Sequence, residues 1–159
     1  MRFIYDLDHT VIDSSHRQAT LADGSLDLVH WIENSTPEKI ARDTLLPLAK
    51  QMRENFKRGA EIVVCTARVM QCADFEFLRK HGLRAHAILS RPMGDSTPDW
   101  LLKDKMLRQY ARKRGISWAR FCKFSTMIDD NKNVIAHLNR LGLYVYDAVP
   151  FNERLRKLA

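Results

Sequence analysis

The run "AEIVVCT" at residues 60–66 limits the possible folds more than any other stretch. It is apolar without alternation and rich in β-branched residues, the pattern of a strand covered on both faces. Such a strand belongs in a parallel sheet flanked by helices, because an antiparallel sheet with one wet face would alternate. The remaining chain supplies matching pieces. Phe3–Tyr5, "AHAILS" (85–90), "CKFSTMIDD" (122–130) and "LYVYDA" (143–148) read as further strands. "STPEK" opens a helix with Thr36 as N-cap and Pro37 in the first position. Residues 43–59 read as a second helix closed by Gly59, and 69–82, 99–115 and 132–142 as three more. "RPMGDSTPDW" reads as an irregular loop and "FNERLRKLA" as a short tail. Strands alternating with helices predict an α/β domain with a mostly parallel sheet of five strands and right-handed crossovers.

The bulk properties fit one such domain. A length of 159 residues suits a single core, and a hydrophobic share of 45% argues against disorder. No run of about eighteen apolar residues occurs, so no membrane span is expected. The chain starts on a strand, which predicts no secretory leader. Cys65, Cys72 and Cys122 are odd in number and form no CxxC pair, so they read as reduced thiols of a cytoplasmic protein without structural zinc. The formal net charge of +7 suits an anionic partner such as a nucleotide or a nucleic acid. The polar stretch 14–35 reads as a small flap inserted into a single domain 1–159, with Trp31 and Ile32 as its anchors.

Ligands of open parallel sheets bind beyond the carboxyl ends of the strands, and there this chain concentrates its chemistry. "FIYDLDHTVID" (3–13) ends its strand in Asp6 and Asp8, which point the same way if the extended pitch continues. An isolated pair of this kind is commonly a turn or a cap. Here, however, the second strand ends at Thr66 and Arg68, the third leads to a helix bearing Lys103 and Lys105, and the fourth ends at Asp129 and Asp130. Carboxylates converging without histidines or thiols make a hard, oxygen-rich site suited to magnesium. One carboxylate can act as a nucleophile, a second as acid and base, and a hydroxyl and an ammonium can hold phosphoryl oxygens.

"DLDHT", "VVCTAR", Lys103 and "MIDDNKNV" resemble, in order, the four motifs of the haloacid dehalogenase superfamily of phosphohydrolases. Within it, "GDSTPDWLLKDKML" and "IDDNKNVIAHLNRLGLYVYDA" are similar to the phosphatase domain of phage polynucleotide kinase/phosphatases. The resemblance implies a Rossmann-like, three-layer domain with a short cap insertion after the first strand. It implies Asp6 as nucleophile and Asp8 as general acid and base. Thr66 and Lys103 would bind phosphate, Arg68 would contact substrate or support the acidic pair, and His9 and Thr10 would line the same pocket. Asp6, Asp129, Asp130 and the backbone carbonyl of Asp8 would serve Mg2+. Lys105 is the rival phosphate lysine, and the resemblance favours Lys103. His9 stands where the family usually has glycine, so it either needs a permissive backbone or faces the substrate. No GxxxxGK[ST] loop occurs, and kinase activity is not expected.

The expected activity is a magnesium-dependent phosphomonoesterase working through a phospho-aspartate. Its preferred substrate is expected to be a nucleic-acid end of the 3′-phosphate type, because a short flap leaves room for a large molecule. The alternatives are a deoxynucleoside monophosphatase of phage nucleotide salvage and a non-catalytic nucleic-acid-binding domain. His16, His30, His81, His86 and His137 show no ligand spacing, and Trp100 and Trp118 are expected to serve packing.

Overall fold

Along β4 (Glu61–Thr66), Ile62 and Val64 enter one apolar core while Val63 and Cys65 enter another. Alternation of this kind on a wholly apolar strand requires cover on both faces, and the computed structural model, which describes residues 1–159, has it. β4 lies between β5 (Ala87–Ser90) and β1 (Arg2–Tyr5), followed by β6 (Ser125–Asp129) and β7 (Tyr144–Asp147), in the order β5-β4-β1-β6-β7. All four pairings are parallel, with Tyr5 in register with Val64 on one side and Ile128 on the other. The expected five-stranded parallel sheet is therefore present, and every strand sends its carboxyl end to one edge. No helix is long and apolar enough to cross a membrane.

Short elements branch off after β1: β2 (Ile12–Asp13), a 3-10 turn (Ser15–Arg17), α1 (Leu28–Glu33), α2 (Pro37–Ile40) and β3 (Thr44–Leu45). α3 (Leu48–Lys57) and α4 (Cys72–Lys80) help cover the face of Tyr5, Ile62, Val64 and Ile128. α5 (Asp99–Lys113), α6 (Trp118–Lys123) and α7 (Lys132–Arg140) cover the face of Ile4, Val63, Cys65 and Met127.

Four segments differ from the sequence expectation. Thr44 and Leu45 belong not to a helix but to β3, antiparallel to β2, so the helix starts only after Pro47. The β2–β3 pair brackets residues 14–43, a longer excursion than the stretch 14–35. Cys122 and Lys123 end α6, capped by Ser117, and the strand begins at Ser125. The "tail" is α8 (Ala148–Leu158), whose Phe151 and Leu155 pack on the first core. Its Asn152 accepts the Leu48 N–H at 2.9 Å and donates to the Thr10 carbonyl at 3.0 Å. Asn152 thus supplies the cap that Pro47 lacks, from 104 residues away, and ties α8 to the loop after β1.

Candidate active site

Leu7 is fully buried in the first core, and its carbonyl accepts the N–H groups of Thr10, Val11 and Ile12 at 3.2, 3.0 and 3.0 Å. The chain therefore turns sharply after Asp6, and the carboxylates of Asp6 and Asp8 part company instead of sharing a direction. His9 accommodates the turn at φ 60°, a left-handed backbone that costs a side-chain-bearing residue about 1 kcal/mol or more. Its Nε2 lies 2.7 Å from Gln18 Oε1.

Asp6 continues the Ile4 side of β1 and Asp129 the Met127 side of β6, so both face α5. Along α5, Lys103, Leu107 and Ala111 form a buried stripe at helical spacing, with the last two packed on the sheet. One turn further toward the strand ends, Lys103 Nζ donates to Asp6 Oδ1 at 2.9 Å and to Asp129 Oδ2 at 2.6 Å. Lys105 faces elsewhere, into a shallow surface hollow of about 370 Å³ lined with Gln109, Arg112 and Lys113. Thr10 Oγ1 donates to Asp6 Oδ2 at 3.3 Å. Asp129 Oδ1 accepts the Asn131 N–H at 2.9 Å. Oxygens of Asp6, Asp129 and Asp130 all lie within 4.8 Å of one another.

Three carboxyl groups against one ammonium give the site a formal excess of two negative charges. Burial and the carboxylates of Asp129 and Asp130 push the Asp6 carboxyl well above its ordinary range, against the pull of Lys103. Burial and Asp129 raise Asp130 as well. Burial alone would lower Lys103, but Asp129 and Asp6 hold it well above the usual lysine value, so it stays charged. An all-oxygen donor set with this charge fits a divalent cation such as magnesium, and the residues that would hold it are Asp6, Asp129 and Asp130. Cys65 lies beneath the cluster as a neutral thiol, pushed up to about 12 by burial.

Asp8 occupies a different electrostatic setting. It accepts Ser14 Oγ at 2.6 Å and the Arg68 fork at 2.6 Å (Nη2) and 3.2 Å (Nε). Burial would raise this carboxyl, but the Arg68 guanidinium outweighs it and holds Asp8 below the usual range. Arg68 is fixed in turn by Asp74 at 2.6 Å and by the Thr66 hydroxyl, which accepts its backbone N–H at 3.0 Å. The fold thus brings Asp6, Thr10, Lys103, Asp129 and Asp130 into one cluster, and Asp8, Thr66 and Arg68 into an adjoining one.

Several contributors carry no motif. Arg91 donates to the carbonyls of Ala67, Asp95 and Thr97 and to Asp99, stapling the loop before α5 to the segment after β4. Ser14, Arg17, Asp43 and Asp74 are buried ion or hydrogen-bond partners whose mates lie 6 to 26 residues away, and no local spacing announces such pairs. Four of the remaining histidines and tryptophans make packing or backbone contacts: His86 accepts the Ile62 N–H, Trp118 donates to the Leu141 carbonyl, and Trp100 meets His137 edge-on.

The sequence pattern of the bacteriophage T5 5′-deoxynucleotidase family matches residues 1–158. A 5′-deoxynucleotidase of Escherichia phage T5 is 32% identical over 170 residues, covering 96% of this chain and 68% of that protein. Among solved structures, a chain of the Pnkp1/Rnl/Hen1 RNA repair complex has a TM-score of 0.58 at 19% identity. That match covers 92% of this chain and 42% of the other, so this chain spans less than half of its length. A HAD-family enzyme of Bacteroides thetaiotaomicron, solved with magnesium and inorganic phosphate, matches over 91% of this chain and 92% of its own at 8% identity, TM-score 0.53. The chain therefore belongs to the bacteriophage T5 5′-deoxynucleotidase family, and its fold is that of haloacid dehalogenase-like hydrolases.

Proposed function

We propose that the protein is a magnesium-dependent 5′-deoxynucleotidase that releases phosphate from deoxynucleoside monophosphates through a phospho-aspartate on Asp6. The observation that carries the chemistry is the buried juxtaposition of Asp6 with Lys103, Asp129 and Asp130. The substrate class rests on the relative that is 32% identical across nearly the whole chain. This reading prefers a mononucleotide over the nucleic-acid end expected from the sequence.

Asp6, Asp129, Asp130 and the Asp8 carbonyl would hold magnesium, which supplies charge neutralisation for an anionic substrate. Lys103 holds phosphoryl oxygens and keeps Asp6 oriented. Asp6 attacks phosphorus, the bond to the ester oxygen breaks, and that oxygen takes a proton from Asp8. Water then attacks the phospho-aspartate, Asp8 takes its proton, and Asp6 leaves as carboxylate beside inorganic phosphate. With Arg68 in place, Asp8 is an anion and has no proton to give. An incoming phosphate dianion competes for the guanidinium and draws part of its charge from Asp8, which keeps its place beside Ser14 and Arg68 and can take up the proton it must deliver.

A second reading, action on a phosphate-terminated oligonucleotide, draws on the net charge of +7 and the basic hollow on α5. The two are separated by kcat/KM for deoxynucleoside 5′-monophosphates and for 3′- and 5′-phosphorylated oligonucleotides at several salt concentrations. The mononucleotides are expected to be turned over best, with a shallow salt dependence. Higher efficiency on an oligonucleotide, falling with salt at a slope of about 0.7 per phosphate contact, would replace the proposal.

A further inference from the structure

Asp43 lies in no motif, yet it joins the two guanidiniums nearest Asp8. Its Oδ1 accepts Arg17 Nε at 2.9 Å and pairs with His16 Nε2 at 2.7 Å, and its Oδ2 accepts Arg17 Nη2 at 2.9 Å. The same Oδ2 lies 3.6 Å from Arg68 Nη2, the nitrogen that also holds Asp8 Oδ1. Asp43, Arg17 and Arg68 are all buried. Arg17 belongs to the excursion between β2 and β3, where its Nη1 donates to Ser35 Oγ at 3.0 Å and Ser35 donates to the Trp31 carbonyl at 2.6 Å. The Trp31 ring stacks on the Arg17 guanidinium at 4.1 Å and reaches toward that of Arg68 at 5.7 Å.

From this geometry we infer that Asp43 is a positioning residue for Asp8, linking the docked excursion 14–43 to the aim of the acid–base carboxylate through Arg68. The inference deepens the phosphatase reading and rests on it. Two buried guanidiniums side by side repel, and Asp43 is the carboxylate between them. Without its charge, Arg17 loses its bidentate partner, and Asp8 is a carboxylate that the Arg17 charge already reaches. Arg68 would then share Asp8 with Arg17, and the carboxylate would leave the direction set by Ser14 and Arg68. The excursion would loosen in step, because Trp31 and Ser35 are held through Arg17.

Leaving groups give the test. A deoxynucleoside departs as a poor alkoxide that needs a proton, whereas 4-nitrophenolate departs without one. For Asp8→Asn, kcat is expected to fall far more on a deoxynucleoside 5′-monophosphate than on 4-nitrophenyl phosphate. Asp43→Asn should show the same selectivity, losing about tenfold to a hundredfold on the nucleotide and no more than about threefold on the aryl phosphate, part of the 10²–10⁴ that acid–base catalysis contributes. KM for both substrates should change little, and Asp43→Glu should restore part of the nucleotide rate. Arg17→Lys, which keeps the charge but loses the fork, should show a weaker version of the pattern. Equal losses on both substrates in Asp43→Asn, beside a selective loss in Asp8→Asn, overturn the inference and leave the phosphatase reading standing. Equal losses in Asp8→Asn itself refute the acid–base role and the inference with it. Failure of both Asp43→Asn and Arg17→Lys to fold, judged by thermal unfolding, makes the cluster a structural support and likewise overturns it.

Discussion

The two ends of the sheet carry ion clusters of similar chemistry and opposite charge balance. At the amino end, Glu61 pairs with Arg2, accepts Tyr110 Oη at 2.9 Å and Arg114 Nη1 at 2.5 Å, and Arg2 donates on to Ser125 at 2.9 Å. One carboxylate faces two guanidiniums there, with Arg114 about half exposed, so solvent takes up the surplus. At the carboxyl end, three carboxylates face one lysine, all of it buried apart from the partly covered Asp130. A clasp satisfies its charges with its own partners and with water. A cluster that leaves two charges unmatched in the interior has room for something that is not protein. The difference separates a structural network from a functional one without reference to any motif.

The sharpest way to break the comparison is at Asp6. Asp6→Asn should drop turnover below about a thousandth of wild type, the scale of a lost nucleophile, because an amide does not attack phosphorus at a useful rate. In chelator the same variant should unfold at a higher temperature than wild type, since one of three crowded buried carboxylates has become neutral. A variant that loses activity and stability together would place Asp6 with the clasp.

Magnesium offers a test by addition. The ion should raise the unfolding temperature of the wild type by about 5–10 °C at a hundredfold excess over its dissociation constant. Asp130→Ala should lose most of that gain, and an amino-end variant should keep all of it. Absence of a shift in the wild type would remove the metal from the mechanism. Activity should disappear in chelator and return with magnesium.

The smallest effect belongs to the amino end. Glu61→Gln should lower stability by about 1 kcal/mol, or about 2–4 °C, with kcat unchanged. Glu61 is held below the usual carboxylate range, burial opposing and the Tyr110 hydrogen bond and Arg2 prevailing. Its contribution is therefore present above the unfolded-state value near 4 and is lost as pH falls through the lower folded one. The difference in unfolding temperature between wild type and Glu61→Gln should narrow below about pH 4. A loss of kcat in this variant would dissolve the distinction between the two ends.

The parts of the molecule that the sequence disclosed are those written in local periodicity. Successive residues of "EIVVC" point to opposite faces whatever surrounds them, so the run already required two cores. Alternation of strands with helices set the parallel sheet, and the parallel sheet set the edge at which Asp6, Thr66 and Asp129 emerge. Where a segment's state depended on a distant partner, the local signal misled. Thr44 and Leu45 follow an apparent helix start, but pairing with Ile12 and Asp13 makes them a strand. The last residues read as a tail because no local feature shows that Asn152 caps α3.

Within the site, residue types and strand-end placement were legible in the chain, whereas their division into two clusters was decided by the tertiary structure. Asp6 and Asp8 are two residues apart, yet the turn held by the Leu7 carbonyl sends one to Lys103 and the other to Arg68. Lys103 and Lys105 differ only in which face of α5 they occupy relative to Leu107 and Ala111. Arg17 and Asp43 meet across 26 residues, and Arg68 and Asp8 across 60. An ion pair acts through space and leaves no period in the chain, so only the folded backbone determines which charges are matched and which stay open.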